Sequence, residues 1–197
     1  SNSFAYFESN SILLVALIFM ILGSFPFLVL AQTNLKNPFI TFKDHQVKIF
    51  IFILLISISL IFFFAQDYLF GSNFSKIITI SFNTISIISG TGYVSENYEY
   101  WGNYASVLFL ILMFIGGCAG STTCGLKIFR IQILYSFISN QLKKIIYPKG
   151  VFILKYDQNA VDNKFVASII SFIYMYLVIF FIITALLSLT GLDFITS

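Results

Sequence analysis

Ile85-Ser86-Ile87-Ile88-Ser89-Gly90-Thr91-Gly92-Tyr93 is the stretch whose reading decides how this chain folds. An apolar run rich in β-branched residues stops at two glycines separated by one threonine, and an aromatic ring follows. The uncharged run leading into it, residues 77–89, is short. A helix that crosses ~30 Å of hydrocarbon needs ~20 apolar residues, so this one enters a bilayer without crossing it. The chain must then turn back at depth. Irregular backbone is tolerated there only where protein buries it or where it borders a watery cavity. Ser89, Gly90, Thr91, Gly92 and Tyr93 are therefore expected to line a pore.

The composition supports a bilayer setting. Of the 197 residues 58% are hydrophobic and 10% charged, with a mean hydropathy of +0.93, which is outside the range of soluble domains. Residues 1–10 carry Glu8 and no Lys or Arg, so no secretion signal is expected and the first apolar stretch stays in the membrane. Cys118 and Cys124 lie in a Gly-rich apolar context far from His45. A zinc site wants closer pairs and more ligands, so free buried thiols are the expected state.

Four further apolar runs are evident. Residues 12–31 form one, expected to span as a single helix with a local distortion at Pro26 near its end, and residues 49–66 form a second. Residues 104–126 form a third, broken in its second half by Gly116, Gly117, Gly120 and Gly125. Residues 165–192 form the last, long enough to span with tilt. Lys36, Lys43 and Lys48 fall in one connection, and Lys127, Arg130, Lys143, Lys144, Lys149, Lys155 and Lys164 in another. Basic residues concentrate on the cytoplasmic side, so both connections are expected inside. Residues 67–103 carry Lys76 against Asp67, Glu96 and Glu99, which places both of their ends outside. The segment between must be re-entrant, the answer its length already gave.

The expected architecture is an all-α integral membrane fold. Residues 1–48 form the closing helix of a preceding pore unit and a cytoplasmic loop. Residues 49–146 form a complete unit of helix, re-entrant pore helix, filter and Gly-broken second helix. Residues 147–197 form a cytoplasmic connection and the first helix of the next unit. Ile18-Phe19-Met20-Ile21-Leu22-Gly23-Ser24 lines up with Ile111-Leu112-Met113-Phe114-Ile115-Gly116-Gly117, as a repeat would. The sequence reads as a fragment of a longer repetitive protein.

A cation entering hydrocarbon loses its water shell, and backbone carbonyls aimed at one axis can replace it. Gly90 and Gly92 permit the dihedrals this needs. A re-entrant helix entering from outside points its C-terminal end, with about half a negative charge, toward the ion. The competing reading of the glycine pair is a tight turn between an interfacial helix and a loop. One strand supplies a quarter of a ring, so four units are required. For Gly116-Gly117-Cys118-Ala119-Gly120-Ser121-Thr122-Thr123-Cys124-Gly125 the alternatives are close helix packing or an unwound segment at mid-membrane beneath the filter. The number of glycines and hydroxyls favours the unwound segment. The same stretch imitates a phosphate-binding loop, but that motif needs Lys directly after its second Gly, and Leu126 intervenes. Lys127 and Arg130 read as basic anchors at the inner mouth, with repulsion of cations as the alternative. Ile131, Leu134, Ile138 and Leu142 have helical spacing, for a basic surface lying on headgroups or a docking face for a regulatory subunit.

Ser89-Gly90-Thr91-Gly92-Tyr93 after a short apolar helix, then Met113-Phe114-Ile115-Gly116-Gly117-Cys118-Ala119-Gly120-Ser121-Thr122 and Gly125-Leu126-Lys127, resembles the Trk/Ktr/HKT superfamily of cation transporters, its TrkH branch most closely. The second motif is the specific one, and Leu189-Thr190-Gly191-Leu192-Asp193 extends the resemblance to the chain end. The resemblance implies a potassium-channel-like pseudo-tetramer built from one polypeptide, and K+ as the transported ion, held at Ser89, Gly90, Thr91 and Gly92. It implies a gate loop at 116–125 and a multi-pass protein of the bacterial inner membrane. It also implies a homodimer of the full-length protein with a cytoplasmic nucleotide-binding regulatory subunit of the TrkA kind. Neither enzyme activity, an organic cofactor on this chain nor nucleic-acid binding is expected. Two departures bear on function: Cys124 stands where Ala or Gly is usual, and Ser89-Gly90 replaces the commoner threonines, which bears on K+ over Na+ selectivity.

Two other readings compete. A homotetrameric potassium channel needs one filter per chain, but its filter ends in an acid after Gly-Tyr-Gly, where Val94 stands here after Tyr93, and its second helix is unbroken. A non-transporting structural membrane subunit is the other. A membrane-embedded enzyme would want charged pairs inside a span, and the apolar runs hold none.

Overall fold

The computed structural model describes residues 3–7, 9–33, 40–69, 71–157 and 159–191. Glu8, Lys36 and residues 192–193 of the final motif, named above, lie outside these. Among the described residues the regular elements are helices apart from one two-residue ladder. It divides into two compact units, Ser1–Phe129 and Arg130–Ser197. That division follows packing and falls earlier than the 146/147 boundary expected from the repeat pattern.

In the first unit the opening apolar run is two helices, α1 (Asn10–Ser24) and α2 (Phe27–Gln32). Pro26 has no N–H to continue the ladder, and the chain is extended at Phe25 and Pro26 before winding up again. α3 (His45–Ala65) begins earlier than its uncharged run, because the Asp44 carboxylate accepts from the N–H groups of Gln46 (2.8 Å) and Val47 (3.3 Å) and caps it. α4 (Asn73–Ser89) likewise takes in Lys76, since Ser72 caps its N-terminus through the Ser75 N–H. Gly102, at φ 89°, turns the chain into α5 (Asn103–Phe114). Residues 115–127 then run without helix until α6 (Ile128–Ile146).

α4 is the centre of this unit and packs against α1, α3 and α5. Ile78, Ile80, Phe82, Ile85 and Ile88 of α4 are buried against Met20 of α1, Phe50 and Leu54 of α3, and Phe109 and Leu112 of α5. α1, α3 and α5 are apolar on every side, and Phe19, Phe52, Phe63 and Met113 lie exposed on their outer faces. That pattern suits helices surrounded by lipid. Lipid tails are as apolar as these side chains, so close packing and hydrogen bonds, rather than release of water, hold α4 in place.

The second unit holds most of α6 and α7 (Asn163–Ser188), which Asp162 caps through the Lys164 N–H. Between them β1 (Lys155–Tyr156) pairs antiparallel with β2 (Asn159–Ala160), Lys155 opposite Ala160. The Arg130 guanidinium lies 3.8 Å from the centre of the Phe172 ring. Among the described residues α3 and α7 are long and apolar enough to cross a membrane. The connection expected after residue 127 is thus largely helix: its apolar spacing at Ile131, Leu134, Ile138 and Leu142 belongs to α6.

Candidate functional site

Gly90 stops α4 in a left-handed conformation at φ 71°. Its N–H donates to the Ile87 carbonyl (3.1 Å) and the Thr91 N–H to the Ser86 carbonyl (3.1 Å), the paired bonds of a Schellman turn. An L side chain at that position would sit in the disfavoured left-handed region, which is why glycine stands there. The turn reading and the pore reading of the two glycines are therefore compatible. Gly90 makes the turn, while Gly92, also at positive φ, has no heavy atom within 4 Å of where a Cβ would stand.

Past the turn the chain doubles back along α4. Ser95 lies beside Asn83, whose Nδ2 donates to Ser95 Oγ (3.0 Å) and whose Oδ1 accepts the Ser95 N–H (3.2 Å). Nearer the turn, the Thr91 hydroxyl lies 3.1 Å from Ser89 Oγ, 3.2 Å from Ser86 Oγ and 3.2 Å from the Met20 sulfur. Phe4 packs at a tilt against both Tyr93 (5.0 Å between centroids) and Phe82 (5.3 Å), and Ala5 N–H donates to the Val94 carbonyl. Gly90, Thr91, Gly92 and Tyr93 remain exposed, while Ser89 is buried. Burial of half-exposed Glu96, just beyond, holds its carboxyl above the usual carboxylate range.

The glycine-rich segment is an ordered loop closed at its base. Gly116 N–H donates to the Leu126 carbonyl (2.8 Å) and Leu126 N–H to the Phe114 carbonyl (2.9 Å). A Cβ on Gly116 would run into the Cys124 carbonyl oxygen, so the two sides of the loop meet only because no side chain stands there. Its tip fits into the break at Pro26. The Ser24 carbonyl accepts the Cys118 N–H (3.1 Å), the Gly23 carbonyl accepts the Thr122 hydroxyl (3.0 Å), and the Phe27 N–H donates to the Gly120 carbonyl (3.1 Å). These are backbone groups that an unbroken helix would use internally. Gln46 of α3 holds Ala119 by its N–H (2.8 Å).

Lys127 does not simply point away as an anchor would. Its ammonium bonds the Ser121 carbonyl (3.1 Å), Ser121 Oγ (3.1 Å), Thr123 Oγ1 (3.0 Å) and the Thr123 carbonyl, bracing the loop from within. Arg130 belongs to the second unit. Cys118 is fully buried, whereas Cys124 is exposed, contrary to the expectation that both thiols are buried. The Cys124 Cβ lies 3.4 Å from the position a Gly90 Cβ would take. A cavity of about 340 Å³ separates turn and loop, bordered by Met20, Gly23, Gly90, Thr91, Thr123 and Cys124.

Sequence reasoning missed Asn83 and Gln46, both polar side chains committed to loops far along the chain. A signal was available for Asn83: a carboxamide inside an apolar helix must find partners.

The TrkH family model, described as a cation transport protein, matches residues 1–197. The Trk system potassium uptake protein TrkI of Halomonas elongata is 31% identical over 195 residues, covering 98% of this chain and 39% of that protein. The Trk system potassium uptake protein TrkH of Vibrio parahaemolyticus is 28% identical over 195 residues, covering 97% of this chain and 40% of the relative. The crystal structure of the potassium transporter TrkH from Vibrio parahaemolyticus superposes with a TM-score of 0.89 at 28% identity, covering 98% of this chain and 42% of that one. The chain thus spans about two fifths of the length of the relatives it matches, and with the family model running over all of its residues, it belongs to the TrkH family of cation transport proteins.

Proposed function

We propose that this chain forms part of a potassium-uptake path through a bacterial inner membrane. Residues 89–93 are one quarter of the selectivity filter. K+ meets carbonyls of Ser89, Gly90, Thr91 and Gly92, and α4 is the re-entrant pore helix whose C-terminal end faces the ion. The observation that carries this reading is the strand that doubles back along α4 and leaves residues 90–93 exposed while Ser86 and Asn83 hold its two ends. The loop 116–125 is the gate beneath the filter, across the cavity that Gly90 and Cys124 border. Lys127 lies at the inner mouth, and Arg130 is a further basic residue of the inner side.

Such a path needs no chemistry. A unit charge gains ~2.3 kcal/mol per 100 mV of inside-negative potential, enough for about 40-fold accumulation. The proposed whole comprises four such units in one polypeptide, working as a homodimer with a TrkA-like nucleotide-binding regulatory subunit on the cytoplasmic side. In this chain residues 1–48 close one unit, residues 49–146 make the next and residues 147–197 open the last. Membership in a family of cation transport proteins favours it over a homotetrameric channel or a structural subunit.

The test is rubidium influx by the complete parent protein in cells lacking their own potassium uptake, with sodium as competitor. The unaltered protein carries rubidium, and Gly92→Ser abolishes influx or admits sodium. Influx unchanged by Gly92→Ser would show that the backbone there does not coordinate the ion, leaving only the turn.

A further inference from the structure

We propose that Asn83 is a positioning residue that sets the ion selectivity of this strand by fixing its outer end. The inference rests on the filter reading above and assigns a residue outside the strand itself.

Asn83 and Ser86 are three residues apart on α4 and so share one face of the helix. Together they hold the returning strand at two points. Ser86 does so beside the turn through its carbonyl, which accepts the Thr91 N–H at 3.1 Å. Asn83 does so at the far end, where its carboxamide takes both the N–H and the hydroxyl of Ser95. The second Nδ2 hydrogen donates to the Thr79 carbonyl at 3.2 Å, which locks the amide against its own helix. Asn83 is 0% exposed, so its side of these bonds is shielded from water, while Ser95 is half-buried. An apolar side chain there would leave the N–H of half-buried Ser95 without its protein partner.

The geometry makes this a matter of selectivity. Gly92 has open space where a side chain would stand, so no packing there steadies the strand. Val94 next to it is also held, its carbonyl by the Ala5 N–H (3.1 Å) and its N–H by Ser3 Oγ (3.3 Å), so Asn83 shares the outer anchorage of residues 92–94 with these bonds. Sodium and potassium differ by a fraction of an ångström in radius. A strand loosened at its outer end can close around the smaller ion.

The experiment measures rubidium and sodium influx by the complete parent protein carrying Asn83→Leu, which keeps side-chain bulk and removes the amide. Protein in the membrane is quantified for each variant. The rubidium-to-sodium ratio is expected to fall about tenfold, the effect of losing one well-made buried hydrogen-bond pair. Ser95→Ala removes the hydroxyl alone and should lower the ratio about threefold. If Asn83→Leu reaches the membrane in normal amount with an unchanged ratio, the proposal is overturned. If it fails to reach the membrane, an unchanged ratio in Ser95→Ala overturns it instead. Gly92→Ser run alongside separates the two readings. A ratio that responds to Gly92→Ser but not to the Asn83 and Ser95 changes leaves the filter in place and removes only the role of Asn83. Influx and ratio indifferent to all three changes, or no rubidium influx by the unaltered protein, removes the filter reading and this proposal with it.

Discussion

The ammonium of Lys127 is bonded to Ser121 through both its carbonyl and its hydroxyl, each at 3.1 Å. With Thr123 completing the set, the loop 116–125 wraps its oxygens around a positive charge that the chain itself supplies. Lys127→Met keeps the stem and removes the charge. It is expected to lower stability by about 1 kcal/mol, discounted because the side chain is half-exposed. It should also raise resting rubidium influx severalfold as the loop loosens. Thermal unfolding in detergent and influx into whole cells measure the two effects.

Two glycine substitutions should separate folding from conduction. At Gly116 an added methyl meets the Cys124 carbonyl, so Gly116→Ala should cost about 1–3 kcal/mol and reduce the amount of protein in the membrane. At Gly92 the methyl finds open space and the cost is that of the positive φ alone, about 1–2 kcal/mol. Gly92→Ala should therefore reach the membrane yet conduct abnormally. Immunoblots of membranes paired with influx distinguish the two.

The cysteines give a labelling test. Cys124 borders the cavity and is exposed, while Cys118 is 0% exposed. A small water-soluble thiol reagent should modify Cys124 at least about 100-fold faster than Cys118, whose reaction waits for local opening. Mass spectrometry of the labelled protein reads the ratio, and Cys124→Ser should remove the fast phase.

Thr122 gives its hydroxyl to the Gly23 carbonyl at 3.0 Å. Thr122→Val keeps the shape and loses the bond, for an expected cost of about 1 kcal/mol. If the loop obstructs the path, the variant should also conduct more at rest. Influx unchanged while stability falls would separate the clasp from gating.

Much of this was legible in the sequence, for reasons of length and chemistry. The shortness of the run before Gly90 and the glycines after Ile115 each forbid a continuous membrane helix, and the structure turns or breaks at both; at Pro26 the sequence suggests only a distortion within one helix, whereas the missing N–H splits the run into two. Helix starts were less legible. Asp44 and Ser72 cap α3 and α4 several residues before the apolar runs begin, since hydropathy does not register a cap. The partners of Asn83, Gln46 and Lys127 could not be read at all. Composition says that a buried carboxamide needs partners, yet only the fold decides whether Ser95 or Ala119 lies within reach. The accessibility of Cys124 depends in the same way on the cavity beside Gly90.

The interruption of the first helix at Pro26 has an evolutionary corollary. Gly23, Ser24 and Phe27 lend their backbone groups to residues 118–122, almost a hundred positions later. Substitutions in either segment are consequently judged by selection in the company of the other. A chimera that takes residues 10–32 from one relative and residues 115–127 from another should lose function even when each half works in its parent. Transplanting both segments as a matched pair should restore it.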